Sequence, residues 1–355
     1  MTADAGQDVG GPIQLVRRRP DVADARLLAE LAPPPRFADV RFDTYRPDAG
    51  QPTQAEAVEV LRRFADDAAD PAGQARWWRF GGRHRAGPDH TGVYLDGGFG
   101  VGKTHLLAAL WHASAGERAF GTFVEFTNLV GALGFRRAVE GLSRFSLVCI
   151  DEFELDDPGD TVLMSRLLRE LVDGGVRLAA TSNTLPDALG EGRFAADDFR
   201  REIQALSAQF RVVRVDGEDY RHRGVPPAPP ALAQEDVVAG AQARPGASLD
   251  DFGMLVAHLA QVHPSRYGAL LDGVSAVCVT GLHPLPGQDV ALRLVVLVDR
   301  LYDRDLPLLT SGTPVDELFT ADMLAGGYRK KYRRAISRLV ALAREGEGLV
   351  APGEG

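Results

Sequence analysis

The sequence is poor in lysine and cysteine and has no excess of positive charge. Only three of its 40 basic residues are lysines; 49 residues are acidic, and the formal net charge is -9. A broad basic surface for nucleic acid is therefore excluded, which leaves room only for local contacts. Two cysteines, Cys149 and Cys278, are too few for a disulfide framework or a zinc site. Cys149 lies in an apolar run, as is typical of a small core residue.

Long hydrophobic runs are also missing. No apolar stretch approaches the ~20 residues of a membrane-spanning helix. The first residues are acidic and lack the basic start and apolar run of a secretory signal. We therefore expect a cytoplasmic protein. The length of 355 residues, with 45% hydrophobic residues, allows one large or two to three small domains.

A phosphate-binding loop occupies residues 97–104, with the sequence GGFGVGKT. It fits the pattern G-x-x-x-x-G-K-[ST], in which backbone N–H groups surround phosphate oxygens, the lysine reaches the β- and γ-phosphates and the hydroxyl ligates Mg²⁺. Because this chain otherwise uses arginine, a lysine here indicates that a compact ammonium is required. The residues assigned to a nucleoside triphosphate are Gly97, Gly98, Phe99, Gly100, Val101, Gly102, Lys103, Thr104 and the adjoining His105.

A second motif supplies two carboxylates. Residues 145–150 form a continuous apolar run, typical of a strand covered on both faces, and Asp151 and Glu152 follow at its carboxyl end. We predict that Asp151 holds Mg²⁺ with Thr104, through water, and that Glu152 is the general base for the attacking water. The alternative is that the two carboxylates merely end a buried strand.

Polar and basic residues follow the next predicted strand, at 176–181. Asn183 is placed to hydrogen-bond both the γ-phosphate and the attacking water, although asparagine is also a common turn residue. Phosphoryl transfer needs positive charge on the transition state, often from an arginine of a neighbouring subunit. Arg193, Arg200 and Arg201 lie at a suitable distance, and each is alternatively a solvated charge on a helix.

Two further features leave alternatives open. Phe42 and Tyr45 precede the phosphate loop and either form walls for adenine or belong to the core. The basic segment 328–334 combines clustered Lys/Arg with tyrosines, which favours nucleic-acid contact. Its alternative is a solvated helix from which Arg334 or Arg338 reaches the nucleotide. The eight histidines show no metal-ligand spacing.

The order of the predicted elements indicates the fold. Strands at 92–96, 122–127, 145–150 and 176–181 alternate with helices at 104–115, 129–139 and 161–173. This β-α-β order predicts an α/β fold with a parallel sheet and helices on both sides. The predicted divisions are a flexible extension (1–30), a helical segment leading into the core (31–90), the nucleotide-binding core (91–223), a Pro/Ala/Gly-rich linker (224–248), a smaller carboxy-terminal α+β region (249–345) and a disordered tail (346–355).

These motifs together are similar to those of the AAA+ ATPases. The segments GGFGVGKTHLL (97–107), CIDEFEL (149–155) and TSN (181–183) carry this resemblance. The segments Asp219–Arg221 and Asp299–Asp303 narrow it to the ZapE family of bacterial division ATPases, which has mitochondrial AFG-type relatives. The resemblance covers about residues 30–345.

The resemblance implies a P-loop NTPase with a three-layer αβα core, ATP and Mg²⁺ as cofactors, ATP hydrolysis, and a homo-oligomer that assembles on ATP binding. It also implies action at the division septum, at the inner face of the membrane, on FtsZ or on membrane-associated proteins. By position, Lys103 and Thr104 are the phosphate-loop pair, Asp151 and Glu152 the Walker B pair, and Asn183 the first sensor. The family's HFH segment is replaced by residues 123–127.

The arginine finger and the function have less direct support in the sequence. Residues 192–199 depart from the family pattern, and Arg193 is the nearest match for the finger. The leading hypothesis is an ATPase that remodels a division or membrane-associated protein. One alternative is a DNA-associated helicase loader or initiator, against which the acidic net charge counts. Another is a nucleotide-gated scaffold that rarely turns over.

Overall fold

The chain forms two compact units in the computed structural model. The structure describes residues 11–69, 92–98, 100–154, 158–184, 204, 207, 208, 210–217 and 227–349. Residues 23–224 form one unit, here called the central unit. Residues 1–22 and 225–355 form the other, here called the terminal unit because it contains both ends of the chain.

A five-stranded parallel sheet is the centre of the central unit. Its strands are β1 (Gly92–Asp96), β2 (Arg118–Thr122), β3 (Leu147–Asp151), β4 (Arg177–Ser182) and β5 (Phe210–Arg214), in the order β2-β3-β4-β1-β5. Every strand pair is parallel. All residues of β1 and β3 are buried, as expected of strands covered on both faces. The predicted α/β fold with a parallel sheet is confirmed.

Helices connect and cover these strands. Within the described residues they are α1 (Asp24–Ala29), α2 (Pro52–Ala69), α3 (Lys103–Ala113), α4 (Phe123–Leu133), α5 (Phe135–Leu142) and α6 (Pro158–Asp173). The apolar side of α3, with Leu106, Leu107 and Leu110 fully buried, packs in one core with residues of α2 and of the sheet. Helix α3 thereby fixes the position of the phosphate loop that precedes it.

The strand predicted at 122–127 is wrong. Strand β2 ends at Thr122, whose hydroxyl accepts a hydrogen bond from the Glu125 N–H at 3.2 Å while the Glu125 carboxylate accepts from the Thr122 N–H at 2.5 Å. This reciprocal capping box starts helix α4. The helix predicted at 129–139 is likewise two helices, α4 and α5, separated by Gly134 at φ 80°.

The terminal unit contains a second parallel sheet, so the predicted α+β arrangement is wrong in this detail. Its strands β6 (Ala247–Asp251), β7 (Ala276–Leu282) and β8 (Leu308–Gly312) pair in that order. Its helices are α7 (Gln234–Ala243), α8 (Phe252–Leu259), α9 (Tyr267–Leu270), α10 (Gln288–Asp303), α11 (Ala321–Ala325) and α12 (Arg329–Glu347). Helices connect consecutive strands, which lets parallel pairing form.

Residues near the amino terminus belong to this second sheet. The Ile13 N–H donates to the Ala247 carbonyl at 2.8 Å, and the Ile13 carbonyl accepts from the Leu249 N–H at 2.8 Å. The Leu15 side chain is fully buried, and its N–H donates to the Asp250 carboxylate at 3.1 Å. The predicted flexible extension over 1–30 is therefore wrong from residue 13 onward, while residues 1–10 lie outside the described part.

Two other predicted boundaries also change. The expected linker 224–248 contains helix α7, whose Val237 and Ala241 pack with Leu309 in a small core. The expected disordered tail begins inside helix α12, where a Cβ on Gly346 would lie 2.1 Å from the Leu308 carbonyl oxygen. Among the helices of the described residues, none combines the length and apolar character needed to cross a membrane.

Candidate nucleotide site

Three neighbouring strands of the central unit end at one place. Strand β4 pairs with β1 on one side and with β3 on the other, all in parallel. The phosphate loop therefore follows β1 beside the ends of β3, at Asp151, and of β4, just before Asn183. Ligands of open α/β sheets bind at this carboxyl edge. The sheet order thus brings the three sequence motifs together.

Glycine is required in the phosphate loop for two different reasons. A Cβ on Gly97 would lie 2.1 Å from the carbonyl oxygen of Val215, the residue that follows β5, so the backbone there leaves no room for a side chain. Gly100 and Gly102 have φ of 75° and 87°, in the left-handed region that favours glycine. The loop then enters α3 at Lys103, and the amino end of that helix is suited to an anion.

Replacement of Gly97 by alanine should destabilise the central unit, whereas Gly98→Ala should not. A Cβ on Gly97 meets backbone atoms, while a Cβ on Gly98 has nothing within 4 Å. We expect Gly97→Ala to lower the free energy of unfolding by roughly 1–3 kcal/mol and Gly98→Ala to change it by less than about 0.5 kcal/mol. Denaturant unfolding measures both, and equal effects in the two variants would contradict the packing argument.

Lys103 lies at the middle of the site and is 8% exposed. Its ammonium donates to the carbonyl oxygens of Gly97 at 2.9 Å and Gly98 at 2.6 Å, and to the side-chain oxygen of Asn183 at 2.9 Å. The three N–H donors of an ammonium group can each reach one of three acceptors that surround the nitrogen. The donors of a planar guanidinium point in other directions and cannot reach all three. This geometry gives a physical reason for a lysine in an arginine-rich chain.

Asp151 is held by two hydroxyl groups. The Thr104 hydroxyl lies 3.0 and 3.2 Å from its two carboxylate oxygens, and the Thr181 hydroxyl donates to Oδ1. The Asp151 side chain is buried, with 6% exposure. A carboxylate and a hydroxyl side by side are hard oxygen donors of the kind that Mg²⁺ prefers, so these residues fit that ion.

Glu152 has an unusual backbone conformation, with φ of 54°. Few residues other than glycine adopt this left-handed region, and such strain often lies at functional sites. The Glu152 N–H donates to the Thr181 hydroxyl at 3.1 Å, and the next N–H, of Phe153, donates to the Thr181 carbonyl at 2.7 Å. The turn after β3 is therefore tied to the end of β4.

Asn183 connects Lys103 to a residue that the sequence analysis did not single out. Its amide oxygen accepts from Lys103, while its amide nitrogen lies 3.5 Å from the Glu154 carboxylate. Thr181 was also missed, although it stands in the same TSN segment. Its signal in the sequence was a hydroxyl residue two positions before the predicted sensor, at the end of a buried strand.

The aromatic residues before the loop have separate positions. Phe42 is 8% exposed and belongs to the core of the central unit. The Tyr45 hydroxyl donates to the Val101 carbonyl at 2.9 Å. A Cβ added to Gly102 would lie only 2.7 Å from the Tyr45 ring, so this ring packs closely against the loop. His105 lies 5.4 Å from the Tyr45 ring, centroid to centroid. Burial lowers the pKa of His105, so its imidazole is neutral at pH 7.

The predicted arginines are only partly described. Arg193, Arg200 and Arg201 lie outside the described residues, as does Phe99 of the loop.

In the terminal unit, Arg334 donates to Asp299 at 3.0 Å, and Arg338 pairs with the other oxygen of the same carboxylate. Burial alone would raise the pKa of Asp299, but the two guanidinium groups outweigh it and lower the pKa. Both arginines that were considered for contact with the nucleotide are thus paired with Asp299.

Comparison with known proteins supports the interpretation of these motifs. The model of the AFG1-like ATPase family matches residues 22–245 and 234–347. The chain is 26% identical to the cell division protein ZapE of Escherichia coli K12 over 359 residues, which covers 85% of this chain and 93% of that protein. It is 29% identical to lactation elevated protein 1 homolog B of Danio rerio over 160 residues, or 39% of this chain and 32% of that protein.

Similar solved structures include the crystal structure of DnaI, with 17% identity, a TM-score of 0.41 and coverage of 55% of this chain and 100% of that one. The replication initiator DnaA bound to AMPPCP and single-stranded DNA has 12% identity, a TM-score of 0.39 and 51% coverage of each chain. Similarities of this size carry no argument about function. The family model, in contrast, extends over both units, and this α/β ATPase therefore belongs to the AFG1-like ATPase family.

Proposed function

We propose that this chain is a Mg²⁺-dependent ATPase of the AAA+ type that remodels a protein partner in cell division, either an FtsZ-associated or a membrane-associated one. The observation that carries the proposal is the convergence of Lys103, Thr104, Asp151 and Asn183 at the carboxyl ends of three adjacent parallel strands.

The triphosphate would lie across the phosphate loop and the amino end of α3. Backbone N–H groups of residues 97–105 would donate hydrogen bonds to the phosphate oxygens, as the motif requires. Lys103 would exchange carbonyl acceptors for the β- and γ-phosphates and release the Asn183 amide. The amide could then turn toward the γ-phosphate and the attacking water.

Thr104 and Asp151 would hold Mg²⁺, Asp151 through water. When bound, the ion neutralises charge that develops on the β- and γ-phosphoryl oxygens. The Thr104 hydroxyl directs its proton toward Asp151, which leaves its lone pairs available as ligands. The two side chains therefore form a compatible pair of metal-site oxygens.

Glu152 would accept the proton of the attacking water, and Asn183 would orient that water. Glu152 is partly buried at the same sheet edge, where a carboxylate is screened less from the reacting groups than in bulk water. Arg193 is the candidate that a neighbouring copy would supply to stabilise the transition state, which requires a homo-oligomer formed on ATP binding.

The choice of partner rests on the similarity to ZapE over nearly the whole length of that protein. ZapE of Escherichia coli is a cell division protein, and we propose the same process here, at the cytoplasmic face of the membrane or the septum. The DNA-associated alternative is less favoured, because Arg334 and Arg338 of the basic helix are paired with Asp299. That pairing reduces the positive charge available for a phosphate backbone.

Capture of the partner tests this proposal. Glu152→Gln, purified from the native host with ATP present, should retain division or membrane-associated proteins, because the ATP-bound state persists. Lys103→Ala is the matched control and should retain few of them, since it should not bind ATP. Replication proteins in place of division proteins would overturn the proposal in favour of the DNA-associated alternative, and identical sets from both variants would contradict an ATP-gated partner.

A further inference from the structure

Thr181 contacts both carboxylate residues of the site although it belongs to neither motif. It lies near the end of β4 and is 2% exposed. Its hydroxyl donates to Asp151 Oδ1 and accepts from the Glu152 N–H at 3.1 Å. Its carbonyl accepts from the Phe153 N–H at 2.7 Å. One residue of β4 therefore fixes three consecutive residues at the end of β3.

The two contacts of the hydroxyl have defined directions. A threonine hydroxyl has one proton and two lone pairs, so its proton can serve Asp151 while a lone pair serves Glu152. The orientation of the Asp151 carboxylate therefore depends on the position of the Thr181 hydroxyl group, which donates to it. Thr104 contacts the same carboxylate, so the orientation of this metal-site pair depends on Thr181 as well.

The backbone of Glu152 needs such support. A residue with a Cβ is unfavourable at φ 54°, and a strained conformation persists only where its surroundings hold it. The hydrogen bonds of the Glu152 and Phe153 N–H groups to Thr181 provide this restraint. The direction in which the Glu152 side chain leaves the sheet is consequently linked to Thr181.

We infer that Thr181 is a positioning residue of the ATPase site, which aligns Asp151 with Thr104 and holds Glu152 toward the attacking water. This inference rests on the proposed function. It places Thr181 behind the reacting groups and not in contact with them. Residues that orient metal ligands in this way typically change metal affinity or activity about 10–100-fold when they are replaced.

The test compares Thr181→Val, which keeps the shape and removes the hydroxyl, with Thr181→Ser, which keeps the hydroxyl. For Thr181→Val we expect kcat to fall and the Mg²⁺ concentration at half-maximal rate to rise, each by roughly 10–100-fold. ATP binding measured by calorimetry in EDTA should stay near the wild-type value, because Lys103 and the loop supply it. Thr181→Ser should stay within about threefold of wild type in every measurement.

Thr310→Val controls for loss of a buried strand hydroxyl, since Thr310 is 6% exposed on β8 of the terminal unit. If Thr181→Val melts well below this control, Thr181→Ala replaces it. A Mg²⁺ midpoint that rises in Thr181→Ala but not in Thr181→Ser supports the inference.

An unchanged Mg²⁺ midpoint in the hydroxyl-free variant, or an equal loss in Thr181→Ser, overturns it. A wild-type protein whose hydrolysis ignores Mg²⁺ would instead overturn the proposed function itself.

Discussion

Glu152→Gln should lower kcat for ATP hydrolysis by roughly 10²- to 10⁴-fold, which is the usual contribution of a general base. The amide has nearly the shape of the carboxylate but cannot accept the proton of the attacking water. The hydrogen bond from residue 152 to the Thr181 hydroxyl comes from its backbone N–H, so the substitution leaves that bond in place. Steady-state phosphate release measures the rate, and calorimetry measures ATP affinity, which should change by less than about threefold.

The matched control for this prediction is Glu140→Gln. Glu140 is exposed on α5 of the same unit, so its substitution makes the same change of charge away from the site. It should hydrolyse ATP at the wild-type rate. Wild-type hydrolysis by Glu152→Gln would exclude Glu152 as the base and direct attention to Glu154, whose carboxylate lies 3.5 Å from the Asn183 amide nitrogen.

Lys103→Ala should raise the Kd for ATP at least ~100-fold. Charge-assisted hydrogen bonds contribute about 1.5–3 kcal/mol each, and loss of two of them corresponds to ~100-fold or more in affinity. Lys103→Arg should also weaken binding, by ~10-fold or more, although it keeps the charge. The ammonium occupies a narrow space, with three protein oxygens only 2.6–2.9 Å away. A broad, planar guanidinium does not fit this space and therefore cannot approach the β- and γ-phosphates in the same way.

Lys330→Ala is the control for this substitution, because Lys330 is one of the other two lysines and is exposed on α12. Its ATP affinity should equal that of wild type in isothermal calorimetry. A Kd of Lys103→Ala within about threefold of the control would refute the assignment of Lys103 to the phosphates. Equal affinity of Lys103→Arg and wild type would refute the geometric reason for lysine.

The parts of the fold that could be predicted are those where local patterns agree with tertiary packing. The apolar run that ends at Asp151 and the strand–loop–helix sequence around Lys103 predicted buried parallel strands, and both are present. Helix α2 lies within the segment 31–90, which was predicted to be helical. A strand that is covered on both faces needs apolar residues along its whole length, so its sequence predicts its structure well.

Each error has an identifiable physical cause. Residues 122–127 alternate like a strand, but the Thr122–Glu125 capping box starts a helix, and this signal was overlooked. Residues 13–16 carry no local signal for their attachment to β6, because their partners, Asp250 and its neighbours, lie far along the chain. The proline-rich composition of 224–248 concealed helix α7, which is stabilised by its packing on β7 and β8.

The clustering of the candidate site residues could be predicted from the sequence, but their detailed geometry could not. Motif spacing identified Lys103, Thr104, Asp151 and Asn183, which the sheet order then brings together. The contacts of Thr181 could not be inferred, since they depend on the register of β3 against β4 and on a left-handed backbone at Glu152. Such details emerge from tertiary packing rather than from composition or period.

The attachment of Leu15 to Asp250, 235 residues further on, has a consequence for biosynthesis. At translation rates of about 5–20 residues per second, the early segment waits on the order of 10–50 s for its partner to leave the ribosome. The central unit, residues 23–224, is contiguous in sequence, and its synthesis is complete before that time. The apolar side chains around Leu15 therefore stay exposed to solvent in the nascent chain during this time, when chaperones would bind them.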